Sequence, residues 1–319
     1  LRRQVALVVF LILLLRLPFL DIAAQWDDFN YLSAAGYSLQ NPLHPSHVRY
    51  VFIGEWHDMK GHPHPPGSAW TLGLLWRLLG SFREIPFHAA YLGFNLAAAL
   101  AALVLARRFV PERAVLATFL FCATPAFAVS GTSFESDLPF LACWLAAIAF
   151  LVEAVERDDH RLLAGCGLAA ALAAAYAYQA VLLVPVLGLW LLTKRSQSRL
   201  ARSPAAWLCL LAPVAVIAGY QLFERLSTGA FPMAVLSNHM KNKGWDGAGL
   251  RLKSAAALTA HLGFVFSLPV ILAVGRRLPL WQWAASAATG AGAGYAVGDP
   301  SPLFVVPFAA GILTLFWLL

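Results

Sequence analysis

Two adjacent carboxylates stand among aromatic residues in Trp26-Asp27-Asp28-Phe29-Asn30-Tyr31. Such a pair can divide its work: one carboxylate takes a proton from a hydroxyl or amine, and the other orients the acceptor or a metal. Partial burial beside Trp26 and Phe29 would raise a carboxylate pKa towards a useful value. The competing role is a solvated pair capping the helix DDFNYLSAAGYSLQ. A second group is Gly61-His62-Pro63-His64-Pro65-Pro66-Gly67. Its alternating prolines hold the strip extended, which sets His62 and His64 on one face. The two rings could ligate a metal or donate to a phosphate or sugar hydroxyl; otherwise the strip is a stiff connector. A third candidate is Asp137 in Glu135-Ser136-Asp137-Leu138-Pro139, at the start of an apolar stretch. The dipole of a helix N-terminus favours a carboxylate there in any case.

The elements that must hold these residues are apolar. The chain of 319 residues is 60% hydrophobic and 12% charged, with a mean hydropathy of +0.68; soluble domains have about 25% charged residues. Stretches near the ~18-residue length of a membrane span recur at 4–20, 85–106, 112–131, 137–155, 161–176, 179–193, 205–223, 255–274, 279–297 and 302–319. The fold class expected is therefore all-α, a polytopic membrane protein with about ten transmembrane helices, forming a single domain over 1–319. The first stretch follows Arg2 and Arg3 as a signal peptide would, but no small-residue cleavage site follows it directly, so it reads as a retained helix. Leu1 in place of Met and the terminal Phe316-Trp317-Leu318-Leu319 suggest trimming at both ends.

Orientation follows from the basic clusters. Arg2/Arg3, Arg107/Arg108/Arg113, Arg157/Arg161, Lys194/Arg195/Arg199/Arg202 and Arg276/Arg277 fall on one side if ten helices alternate, and that side is the cytoplasm. The net charge of +7 is thus a membrane signature and not one of nucleic-acid binding. Alternation requires that 67–80, with Arg77 inside it, not be a full span; an interfacial or re-entrant helix suits it better. Two external segments remain, 21–84 and 224–254, and they hold most of the polar chemistry. The first is too aromatic for disorder and long enough to be functional. Cys122, Cys143, Cys166 and Cys209 each lie in an apolar stretch and read as small buried hydrophobes.

The spans carry few ionisable groups, Arg16 and Glu153 among them near their ends. Pumps and ion-coupled transporters usually keep carboxylates at mid-membrane depth. Their scarcity points to chemistry at the outer surface and argues against a transporter or flippase, the runner-up function. A purely structural subunit would leave the acidic, His-rich loop unexplained.

These residues resemble a family. Asp27-Asp28-Phe29-Asn30-Tyr31 just after the first helix is similar to the signature of the class C glycosyltransferases, in the branch of protein O-mannosyltransferases and lipid A aminoarabinose transferases. His64-Pro65-Pro66, Arg83 entering the next span and Asp137 opening a later one match that branch in order. The similarity runs over about residues 1–195. Two departures stand out: Asp-Asp replaces the family's usual Asp-Glu, and Tyr176-Ala177-Tyr178-Gln179 stands where many members carry a lysine.

The resemblance implies a long first external loop folded into membrane-surface helices and a polyprenyl-phosphate–sugar donor. It implies transfer with inversion to a protein, glycolipid or envelope polysaccharide. The expected location is a bacterial inner membrane, with the site facing the periplasm. Asp27 would be the general base and Asp28 its support. Tyr31, His62, His64 and Asp137 would line the substrate site, and Arg83 with Lys241 or Lys243 would neutralise the lipid phosphate. The expected partners are this donor, an acceptor and membrane lipids, with no nucleic acid. No cofactor is required. Were a divalent cation bound, Asp27, Asp28 and Asp137 would suit Mg or Mn, and His62 with His64 would suit Zn.

Overall fold

A computed structural model describes residues 1–25, 27–52, 54–124, 127–128, 131–242, 248–265, 278–298 and 301–318. The chain is all-α and 77% helical, with 14 α-helices and one two-stranded hairpin among the described residues. It divides into two units, Leu1–Ser237 and Asn238–Leu319.

The N-terminal unit begins with α1 (Arg2–Arg16) and ends at Ser237. The first external loop folds into α2 (Asp28–Ser38), strands β1 (Arg49–Phe52) and β2 (Glu55–Asp58), and α3 (Gly67–Leu79). The helical part was expected and the hairpin was not. Gly54 at φ 78° supplies the positive φ that a tight hairpin turn needs, and Tyr50 pairs with His57 across the ladder. The 13 residues of α3 extend about 20 Å, short of the ~30 Å hydrocarbon core. Gly80, left-handed at φ 78°, ends the helix. Trp70, Leu74 and Leu78 form an exposed stripe at i, i+4 and i+8, while Ala69 and Leu72 face inward, as suits a helix lying on a membrane surface.

Next come α4 (Glu84–Phe109), α5 (Ala114–Cys122), α6 (Asp137–Arg157), α7 (His160–Tyr176) and α8 (Leu183–Lys194). Of the described helices, α4 and α6 meet both the length and the hydropathy needed to cross a bilayer. The stretch expected to span 205–223 is broken into α9 (Pro204–Cys209) and α10 (Ala212–Thr228). Pro213 is the physical reason: it has no N–H for the carbonyl four residues earlier. Small residues let the central helices approach closely: Ala98 and Ala99 on α4, Ala142, Ala147 and Ala154 on α6, and Ala170, Ala173 and Ala174 on α7 are all buried. Outward faces stay apolar; Leu7, Phe10 and Leu14 of α1 are exposed, as a lipid-facing stripe is. The four cysteines are free thiols.

Three of the basic clusters assigned to one side come together, those at Arg108, Arg157 and Lys194. Glu156 at the end of α6 pairs with Arg108 of α4 at 2.6 Å and with Lys194 of α8 at 3.4 Å. Glu153, next to this end, pairs with Arg157. The acidic N-termini of α4 and α6 are at the opposite ends of those helices.

The expected loop 224–254 is largely helical: α10 runs through Thr228, and α11 (Pro232–Asn242) follows, crossing the boundary between the units. Pro232 sits at the first position of α11, where its missing N–H costs nothing. The C-terminal unit holds α12 (Ala248–Val265), α13 (Leu280–Val297) and α14 (Pro302–Leu318), packed around Ala256, Ala260 and Phe308. The Arg276/Arg277 cluster lies outside the described residues.

Candidate active site

The acidic pair is split by its environment. Asp28 is 3% exposed. Its Oδ1 accepts the Ser133 hydroxyl at 2.8 Å and the Phe134 backbone N–H at 2.7 Å, and its Oδ2 accepts the Gln25 N–H at 3.0 Å. It staples the start of α2 to the turn that leads into α6. Asp27 is half-buried and stands at the N-cap position, yet its side chain caps no backbone N–H. Its Oδ1 accepts instead from the Asn30 amide at 3.2 Å. Burial and then Asp28 raise its pKa, against the opposing pull of His64. A carboxylate so placed is a stronger base than a solvated one.

The Pro-held strip arrives beside this pair. His62 is buried, and its Nδ1 accepts the His64 backbone N–H at 3.3 Å. Burial and His64 push its pKa down to about 3, so it is neutral at physiological pH. His64 directs Nδ1 to the Tyr176 carbonyl at 3.3 Å. A carbonyl only accepts, so Nδ1 carries the proton and Nε2 of the neutral ring keeps its lone pair. Burial lowers the His64 pKa, opposed by Asp137, the Tyr176 carbonyl and Asp27. Buried Tyr31 packs edge-on to His62 at 5.2 Å and lies 6.4 Å from the His64 ring. Burial raises the Tyr31 pKa, and Ser136 is the hydrogen-bond partner that opposes the shift. Gly67 ends the strip where a Cβ would collide with the Ala175 carbonyl; α3 reaches α7 because that position is glycine.

The third element is the turn 131–136. Asp137 is exposed in the first turn of α6. Glu135, which the sequence alone does not single out, belongs to the cluster: burial first, then Asp137, Asp28 and Asp27, push its pKa up to about 7. Its signal was the pairing of acids two residues apart in Glu135-Ser136-Asp137. The turn is braced from behind. Tyr91 donates to the Phe134 carbonyl at 3.2 Å, Asn95 donates to the Gly131 carbonyl at 3.1 Å, and the His88 ring stacks on Phe134 at 4.3 Å. Arg16, the charge interrupting α1, is buried and donates to Asn95 Oδ1 at 2.9 Å and to the Ala128 carbonyl at 2.6 Å.

The structure therefore gathers Asp27, Asp28, Tyr31, His62, His64 and Asp137, and adds Glu135. Arg83 is exposed at the N-cap of α4, with no ion pair among the described residues. Its neighbour Phe82 packs on Phe134 at 5.9 Å between ring centres. Lys241 is exposed near the end of α11, in the C-terminal unit, and Lys243 lies outside the described residues. Among the described residues the carboxylates of Asp27, Asp28 and Asp137 do not converge as a three-ligand metal set, and neither do His62 and His64 with a third ligand. An apolar cavity of about 630 Å³ lies elsewhere, lined by Ala101, Arg107, Arg108, Phe150 and Arg157 at the far ends of α4 and α6.

A family model described as dolichyl-phosphate-mannose-protein mannosyltransferase matches residues 63–220. No curated protein matches the chain. The matched stretch takes in His64, Arg83, Glu135 and Asp137, and begins after the acidic pair. Just under half of the chain is thus similar to that family, whose description names a glycosyltransferase.

Proposed function

We propose that this chain is a class C glycosyltransferase, moving a sugar from a polyprenyl-phosphate donor to an acceptor at the outer face of the membrane. Asp27 takes the proton of the acceptor hydroxyl or amine. The acceptor attacks the anomeric carbon, the bond from that carbon to the phosphate oxygen breaks, and its electrons leave with the lipid phosphate. One displacement inverts the anomeric centre. Arg83, exposed at the headgroup end of α4, neutralises the departing phosphate. Asp28 holds Asp27 and the Phe134 turn in register and makes no contact with substrate. His64 and Tyr31 bound the sugar site, and Glu135 sets the local charge.

The observation that carries this reading is the half-buried Asp27 carboxylate, which caps nothing and has a raised pKa, in a cluster with neutral His62 and with His64. The family match supports the donor class through the lipid phosphate–mannose in the family's description. The test is reconstitution of the purified protein in liposomes with polyprenyl-phosphate–mannose and candidate acceptors, following both donor cleavage and donor transit. Cleavage dependent on acceptor is expected. Transit of intact donor between leaflets without cleavage would replace the enzyme reading with a flippase.

A further inference from the structure

A second constellation lies in the N-terminal unit and is independent of the sugar-transfer reading. Between α2 and β1 the chain reads Asn41-Pro42-Leu43-His44-Pro45-Ser46-His47. The His44 N–H bonds to the Asn41 carbonyl, and the His47 N–H bonds to the His44 carbonyl, both at 3.1 Å. Two successive turns so closed bring the imidazoles side by side, 4.4 Å apart and 24° from parallel. Opposite them stands Glu224, on α10. Its Oε2 is 2.9 Å from His47 Nε2, and its Oε1 is 3.5 Å from His44 Nδ1.

This carboxylate is fully buried, and the partners it finds do not satisfy it. Glu224 is 0% exposed. Its Oε1 and His44 Nδ1 are both buried without a hydrogen-bond partner. A buried carboxylate is costly unless it is paired or coordinates a metal, and two buried orphan atoms facing each other leave that cost uncovered. A cation bound between them would cover it. The three ligand atoms lie within 4.8 Å of one another. A tetrahedral ion with bonds of about 2.0–2.1 Å sets its ligand atoms about 3.3 Å apart; His47 Nε2 lies 2.9 Å from one oxygen of the carboxylate and His44 Nδ1 lies 3.5 Å from the other.

We propose that His44, His47 and Glu224 bind one divalent transition-metal ion, Zn²⁺ by ligand chemistry. Imidazole nitrogens exclude Mg²⁺ and Ca²⁺, which take oxygen ligands, and two imidazoles with one carboxylate suit tetrahedral zinc. Three protein ligands leave a fourth position for water. Phe223 covers one side, with its ring stacked on His44 at 5.0 Å. The ion clamps the first external loop to α10. That loop carries Asp27 before the clamp and the His62/His64 strip after it, so the clamp fixes the middle of the segment that bears both.

The test uses tag-free full-length protein in detergent, stripped with a chelator and dialysed against Zn²⁺ or Co²⁺. Wild type should retain about one Zn²⁺ per chain by elemental analysis and melt higher with metal than without. The Co²⁺ form should show the intense visible bands of a tetrahedral site. His44→Ala, on a half-exposed loop position, and Glu224→Gln should each lose the retained metal and the tetrahedral spectrum. Circular dichroism reports whether each variant is folded, and His44→Ala carries the test if Glu224→Gln fails to fold. Wild type retaining no metal would overturn the proposal. So would an unchanged tetrahedral spectrum in folded His44→Ala.

Discussion

The backbone N–H of Phe134 donates to Asp28 Oδ1 at 2.7 Å, joining residues 106 positions apart in the chain. The Ser133 hydroxyl meets the same oxygen at 2.8 Å. The turn before α6 and the start of α2 thus share one buried carboxylate, and the relative placement of Asp27 and Glu135 depends on it. Asp28→Asn keeps an acceptor oxygen but turns an NH2 group towards a backbone donor on one side. A hydrogen bond to a charged group is worth about 1.5–3 kcal/mol, so the variant should melt lower and expose the 131–136 amides to faster hydrogen exchange. Its turnover should fall together with that order. Wild-type melting and exchange in the variant would show that the staple carries no stability.

The Glu135 carboxyl gives a pH signature. Its pKa is raised from 4.5 to about 7 in the fold, so the fold favours the protonated form. The stability this contributes is complete below the unfolded value of about 4.5 and is lost as pH rises through about 7. Glu135→Gln, which cannot ionise, should melt higher than wild type above pH 7, with the difference shrinking towards zero as pH falls below about 4.5. Melting curves in detergent across that range check it. A constant difference at all pH values would mean that the carboxyl does not titrate in this window.

Arg83 tests the phosphate contact. If it neutralises the leaving phosphate, Arg83→Ala should lower kcat by about 10²–10³, the effect of removing one donor to a developing oxyanion. Arg83→Lys should restore only part, because an ammonium lacks the bidentate fork of guanidinium. Single-turnover rates on polyprenyl-phosphate–sugar measure this directly. Its exposure and lack of an ion pair among the described residues predict little change in melting. Full activity in the alanine variant would remove Arg83 from the site.

Local features were legible in the sequence and distant ones were not. The Pro-held His62/His64 strip and the short helix after it follow from proline sterics and from length, and both are present. The N-cap alternative for Asp27 needed coordinates to dismiss, because a cap and a free carboxylate are identical in sequence. Arg16 read as a charge near a span end; its partners, Asn95 and the Ala128 carbonyl, lie 79 and 112 residues away. Glu135 is not legible in the sequence because its raised pKa comes from burial and from three acids on two elements. The division of Asp27 and Asp28 into an open and a stapled carboxylate is likewise a tertiary effect, set by the turn at Phe134. Pro213 was visible, yet the apolar run around it masked the break between α9 and α10.

The central claim is that Asp27 is the general base, and one variant isolates it. Asp27→Asn keeps size and most hydrogen bonding but cannot accept a proton. As Asp27 makes no capping bond, the variant should fold and melt as wild type does and should still bind donor. General-base catalysis contributes about 10²–10⁴-fold, so turnover of polyprenyl-phosphate–sugar should fall by that factor. The decisive measurement is acceptor-dependent turnover by Asp27→Asn beside wild type, with melting and donor binding recorded on the same preparations. Loss of turnover with both controls unchanged is the predicted result; near-normal turnover at normal stability would contradict the mechanism.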